Sequence, residues 1–238
     1  MTAVMPSVVM LAICAAVLWP LERRWPKHGK PQNIHAMGVC AGLFLVNAVV
    51  MVVVAAPLLS ALHAAVGTCS TAVATPLRLT VIMVLADLAG YGIHRAMHTF
   101  PVLWRFHRLH HEAYDLTWWE TWRQHPVDAL LHALAVAIPG AVLGASASEG
   151  FGLVLLRVVY TSFIHADVRI HCGFAEGVIA TPAFHHLHHS HDPRHRNGNY
   201  STTLALIDRI FGTAMPSTTR APRCDRAPGR RGMSAPWR

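Results

Sequence analysis

Eight histidines of this chain fall in three tight groups. His94 and His98 stand four apart, His107, His110 and His111 follow an i, i+3, i+4 spacing, and His185, His188 and His189 repeat it. Residues three and four apart share one face of a helix, so each group projects its imidazoles in one direction. His165 stands alone at the close of an apolar stretch, and His125 lies in Gln124–His125–Pro126 just before another. Imidazole is the commonest metal ligand and suits Fe, Zn, Cu and Ni. This many ligands exceeds the needs of one ion and suits a pair. Redox work on O₂ by iron fits that number better than zinc hydrolysis, for which three protein ligands and an open position usually serve. His28, His35, His63, His132 and His171 read as ordinary core or surface residues. His191 and His195 read as the solvated edge of the last group, and His186 as facing away from it.

Asp87 lies seven residues before His94 and eleven before His98, on the same helical face. A carboxylate inside an apolar helix is a functional candidate by default. Asp87 is therefore the candidate catalytic carboxylate. It is too far along the helix to ligate, but placed to pair with an Arg or to orient a metal-bound imidazole; the competing reading is a plain packing charge. Glu112, Asp115, Asp192 and Asp208 are further orienting candidates. Trp118, Trp119 and Trp122 read as an interfacial aromatic belt.

The elements that must position these groups are membrane helices. Of 238 residues, 53% are hydrophobic and 13% charged, against roughly 25% charged in soluble domains. No Asp, Glu, Lys or Arg occurs from Met1 to Leu21, from Pro31 to Leu77, or from Ala129 to Ser148. A bilayer core of about 30 Å demands such blocks of its spanning helices. They exclude an ordinary soluble domain, a disordered chain and a coiled coil. The five scattered cysteines exclude a disulfide scaffold. The net charge of +8 belongs to loops flanking membrane helices rather than to nucleic-acid binding.

The expected fold is all-α: a multi-pass membrane protein of four to five spanning or hairpin helices beneath a cytoplasmic histidine-rich cap. Residues 4–21 form an uncleaved first helix, 36–58 the second and 77–98 the third. A charge-free turn at 59–75 carries Pro57 and Pro76 as punctuation. Residues 129–146 and 150–166 form a short apolar pair. The basic cluster Arg23, Arg24, Lys27 and Lys30 stays cytoplasmic by the positive-inside rule, and counting spans from it returns every histidine group to that side. This divides the chain into N-terminal membrane helices (1–75), a catalytic domain (76–215) and a disordered basic tail (216–238).

The ordered words around these histidines resemble the fatty acid hydroxylase/sterol desaturase superfamily of membrane histidine-box proteins. They are Asp87-x3-Tyr91-x2-His94-Arg95, Trp104-Arg105-Phe106-His107-Arg108-Leu109-His110-His111, Arg123-Gln124-His125-Pro126, Phe163-Ile164-His165-Ala166-Asp167, Thr181-Pro182-x2-His185, His188-His189-Ser190, Asn199-Tyr200 and Asp208-Arg209-Ile210-Phe211-Gly212-Thr213. The match covers roughly residues 80–215. Asp167 stands where the family usually has Asn, His186 where it often has Arg, Ser201 for a frequent Gly and Ile207 for a frequent Trp.

The resemblance implies a non-haem di-iron centre that uses O₂ to hydroxylate or desaturate a lipid, such as a fatty acyl chain or a sterol. It implies His94, His98, His107, His110, His111, His185, His188 and His189 as ligands, His165 as a ninth and His125 as a tenth. It implies two Fe ions (with Zn able to substitute in purified protein), a membrane lipid substrate and no nucleic-acid partner. Electrons would come from a separate carrier of cytochrome b5 or ferredoxin type, since the chain has no GxGxxG and no CxxCH. The protein would sit in a bacterial inner membrane or the endoplasmic reticulum. The alternative class is a metal-binding or metal-transport membrane protein without redox turnover. A transporter places ligands near the membrane midplane, whereas these groups lie at helix ends.

Overall fold

A computed structural model describes residues 5–29, 33–66, 74–113, 115–170, 172–190 and 192–215. The tail at 216–238, His171, His191 and the side chain of His63 lie outside the described residues.

Secondary structure among the described residues is helical, apart from one isolated bridge between Pro26 and Val168. The order is α1 (Met5–Arg24), α2 (Ile34–Val50), a π-helical turn (Met51–Ala55), α3 (Ala56–Val66), α4 (Thr75–Thr99), α5 (Pro101–His111), a 3-10 turn (Trp118–Trp122), α6 (Pro126–Val142), α7 (Ala147–His165), a second 3-10 turn (Gly173–Gly177), α8 (Pro182–His188), α9 (Pro193–Arg196) and α10 (Ala205–Ile210). Four stretches are long and apolar enough to cross a bilayer: Met5–Arg24, Ile34–Leu62, Thr75–Thr99 and Ala147–His165. The apolar helix α6 is shorter, at 17 residues. Large apolar side chains face outward along the spans, among them Leu45, Val49, Val53, Leu77, Val84 and Leu88. A soluble monomer rarely shows so much apolar surface; here lipid covers it. The chain is an integral membrane protein.

The second span runs further than its sequence suggests. Pro57 does not end it, because helix continues to Val66. A proline has no N–H to donate, and its ring collides with the carbonyl four residues back, here Val53. The π turn just before Pro57 widens the backbone at that place, and the helix passes through.

The bundle has a plain end and a histidine end. At the plain end, α6 turns into α7 at Gly144, whose φ is +65°. Ser146 and Glu149 then cap α7 reciprocally. Arg78, at the start of α4, donates to Gly144 O at 2.6 Å and pairs with Glu149. α4 and α7 therefore start together and finish together, and their last turns carry His94, His98 and His165. The core between them holds Ile82, Ala86, Val136, Ala145 and Leu153.

At the histidine end, α1 is tied to α7. Lys27 N donates to Asp167 O at 3.1 Å and Arg169 N to Trp25 O at 2.9 Å. The buried Glu22 carboxylate accepts from Trp118 N and Asp167 N. Trp118 is fully buried in the core with Cys14, Leu18, Ala166 and Val168, not at an interfacial belt. The 3-10 turn that carries it tucks under α1 and α7, and burial against those helices decides its place.

Candidate metal centre

Four elements bring the histidines together. α4 supplies His94 and His98, α5 supplies His107, His110 and His111, α7 supplies His165, and α8 supplies His185, His188 and the adjoining His189. α5 and α8 both begin with a proline in the first turn, where its missing N–H costs nothing and its fixed φ suits helix. The Thr181 side chain caps α8 by accepting from Phe184 N.

The nine imidazoles sort into two buried groups. His94, His98, His107, His111 and His188 form one; His110, His165, His185 and His189 form the other. Within each group, one ring nitrogen per residue lies within 4.8 Å of all the others. The groups are contiguous, with the His111 and His189 ring centroids 4.4 Å apart and those of His107 and His110 5.4 Å apart.

Ring orientation is set from outside. His94 Nδ1 meets Tyr200 O at 2.6 Å, His188 Nδ1 meets Gly198 O at 2.7 Å, His165 Nδ1 meets Thr161 O at 2.7 Å, and His110 Nδ1 meets Arg123 O at 3.2 Å. His107 Nδ1 meets the carboxylate of Asp128 at 2.9 Å. Each such contact makes Nδ1 the donor and leaves Nε2 a bare lone pair aimed inward, the arrangement that holds metal-ligating imidazoles elsewhere. The inward Nε2 atoms crowd one another. His94 and His107 are 3.0 Å apart, His110 and His165 3.0 Å, His165 and His185 3.1 Å, and His185 and His189 3.1 Å.

The donor set fits metal ions. Ligands on one ion at metal–nitrogen bonds of about 2.0–2.1 Å stand about 3.0–3.4 Å from each other. Both ring nitrogens of His98 and of His111, and His188 Nε2, are buried without a hydrogen-bond partner. A buried polar atom left that way costs about 1–3 kcal/mol, which a metal would offset. Burial and the neighbouring imidazoles hold His110, His111, His185 and His189 well below the ordinary imidazole value, and burial brings His188 to about 3. These rings are neutral at pH 7, the form that binds metal.

Other residues take different places. His125 joins neither group. Its Nδ1 caps α6 by accepting from Val127 N at 3.2 Å, and its ring packs on Phe106. Asp87 pairs with Arg157 of α7 at 3.3 Å and accepts from Leu204 N at 2.6 Å. It thus holds the segment that supplies Tyr200 O to His94, a positioning role. Asp208 does the same, accepting from Tyr200 N, Ser201 N and Thr213 Oγ1. Asp192 caps α9 and pairs with the exposed Arg194, while Glu112 and Asp115 are exposed.

Sequence reasoning missed Asp128 and His186. Asp128 is fully buried between His107 and His132; its one signal was a carboxylate in the first turn of an otherwise apolar helix. His186 joins neither group, and it is buried. It stands between Lys27 Nζ and His165 O, 3.2 Å from each. Asp167 is explained by His28, whose Nδ1 lies 2.7 Å from its carboxylate.

The sequence model of the family described as fatty acid hydroxylase matches residues 79–213, the stretch that carries all nine histidines. The chain belongs to this family. Its relatives include ornithine lipid hydroxylase OlsE of Rhizobium tropici, 31% identical over 140 residues, or 58% of this chain and 42% of that protein. Alkylglycerol monooxygenase of Xenopus tropicalis is 27% identical over 55% of this chain and 29% of its own length. Delta(7)-sterol 5(6)-desaturase erg3B of Aspergillus fumigatus is 27% identical over 58% of this chain and 39% of its own length. The chain thus spans less than half the length of these family members. No solved structure matches it. By name these family members are a lipid hydroxylase, a monooxygenase and a sterol desaturase.

Proposed function

We propose that this chain is a non-haem di-iron oxidoreductase that uses O₂ to hydroxylate, or to desaturate, a membrane lipid such as a fatty acyl chain or sterol. One observation carries the reading: two contiguous buried groups made wholly of imidazole, with lone pairs turned inward by acceptors on the outside. His94, His98, His107, His111 and His188 would hold one ion, and His110, His165, His185 and His189 the other. When bound, iron would supply the oxidising power for an unactivated C–H bond, drawing on O₂ and two external electrons.

The chain's own residues do the rest. The carbonyls of Thr161, Arg123, Gly198 and Tyr200 and the carboxylate of Asp128 hold five rings in one tautomer. Burial of all nine rings excludes bulk water. The site lies where the spans end, which suits a lipid whose reactive carbon is near its headgroup and which enters from the bilayer. Hydroxylation is favoured because ornithine lipid hydroxylase and the alkylglycerol monooxygenases are among the relatives. The basic cluster after α1 reaches the histidine end through Lys27 and His186, which supports a cytoplasmic centre. Electrons would arrive from a separate carrier of cytochrome b5 or ferredoxin type.

Elemental analysis of detergent-purified protein tests this beside a His110→Ala/His188→Ala variant. Two iron per chain, lost in the variant, with lipid-dependent O₂ consumption, is the expected result. One metal or none, unchanged by the variant, or turnover without O₂, overturns the proposal.

A further inference from the structure

We infer that α10 and the second 3-10 turn form an interfacial anchor, seated in the bilayer at the level of the last turns of α4 and α7, with lipid as its occupant. The inference rests on the reading of α4 and α7 as membrane spans.

Depth comes from the contacts of these segments with the spans. Leu204 N is bonded to Asp87, seven residues before His94 on α4; at 1.5 Å per residue this is about 10 Å inside the histidine level. Phe211 stacks on Tyr91, three residues before His94, at 5.2 Å, and Thr213 Oγ1 meets Tyr91 Oη at 3.1 Å. On the other span, Tyr160 donates to Ala180 O at 2.6 Å from five residues before His165. The two segments are also bonded to each other, Ala180 N to Thr203 O at 2.8 Å and Leu206 N to Val178 O at 3.1 Å. An interfacial helix seats its apolar face about 5–10 Å into the headgroup–acyl boundary, the same depth.

The outward side chains match that setting. Phe174 is 96% exposed and Ile210 70%, with Val178, Leu206 and Phe211 beside them. The exposed apolar residues Leu77, Val81, Val84, Leu85 and Leu88 line one face of α4 as a lipid-facing stripe, and Tyr91, one turn further on, carries Phe211 of this patch. Arg95 closes the stripe two turns above Leu88, its guanidinium bonded to Tyr91 Oη, and Arg209 lies between Leu206 and Ile210. Both suit the headgroup level, where long basic side chains extend. The anchor carries the segment whose Tyr200 carbonyl orients His94, so the bilayer supports one wall of the histidine centre.

Photocrosslinking of the full chain in lipid nanodiscs tests the anchor. Photoreactive benzoylphenylalanine is placed in turn at Phe174, at Ile210, at Leu85 as the lipid-facing reference and at Arg194 as the exposed reference. The expected result is lipid adducts at Phe174 and Ile210 in yield comparable with Leu85, and none at Arg194. Lipid adducts at Leu85 alone overturn the anchor while leaving the spans in place. Adducts of Phe174 or Ile210 with a second copy, or with residues 216–238, overturn it too, because protein would then cover the patch. Absence of lipid adducts at all four positions removes the membrane reading beneath it.

Discussion

Asp128 carries one carboxylate between two imidazoles, with Oδ2 2.9 Å from His107 Nδ1 and Oδ1 2.8 Å from His132 Nδ1. It fixes which nitrogen of His107 turns inward. Partners of this kind tune metal affinity by about 10–100-fold, so Asp128→Asn is expected to weaken metal binding by that factor while helix content holds. A competition titration against a chromophoric chelator measures it. Protons set a second expectation. An unfolded imidazole takes its proton near pH 6.5, whereas His188 in place does so only near about 3. Between those values the unfolded chain binds more protons than the folded one. Stability of the metal-free protein is therefore full above about pH 6.5 and lost as pH falls toward about 3. Melting temperatures at pH 7.5 and pH 5 check the sign, and a higher value at pH 5 would contradict it. The histidines were legible because helical spacing alone puts them on common faces. Asp128 was not, because its partner His107 lies 21 residues away on another helix. His125 was misleading for a local reason: a side chain before a helix-opening proline caps that helix as readily as it ligates.

The helices are held in register by polar contacts inside an apolar bundle. The Asp87–Arg157 pair joins α4 to α7, and Gly90 faces it so closely that a Cβ there would sit 3.3 Å from the guanidinium. Removing one partner of a buried pair costs about 3–5 kcal/mol. Asp87→Ala is expected to lose stability of that size in detergent denaturation, and a loss below about 1 kcal/mol would mean the pair is solvated. Gly198 is a second such point. A Cβ there would meet Thr213 O at 2.6 Å and Met215 Cε at 2.5 Å. Gly198→Ala should push the loop away from α8, remove the carbonyl that holds His188, and lower metal content more than it lowers helix content by circular dichroism. The spans were readable from charge-free blocks. The continuation past Pro57 was not, since a π turn leaves no mark in composition. Arg157 as the partner of Asp87, 70 residues away, waited on the packing of α4 against α7.

Across the whole molecule, the centre clamps α4, α5, α7 and α8 together at one end, while the other end is closed by Arg78. A ligand that binds only the folded state raises its melting temperature. Stripping the metal with a strong chelator is therefore expected to lower it, and restoring iron to recover it. The position of the histidines at one end was foreseen by counting spans; which compartment that end faces depends on insertion, not on packing. His110 and His111 are neighbours on α5 yet serve different groups, and so are His188 and His189 at the end of α8. Neither group can close unless both helices are already in place, and an ion in either group places them for the other. Filling is therefore expected to be cooperative, with the second ion binding more tightly than the first. Native mass spectrometry during metal titration should find chains with none or two and few with one, so that a half-loaded preparation is a mixture of empty and complete centres.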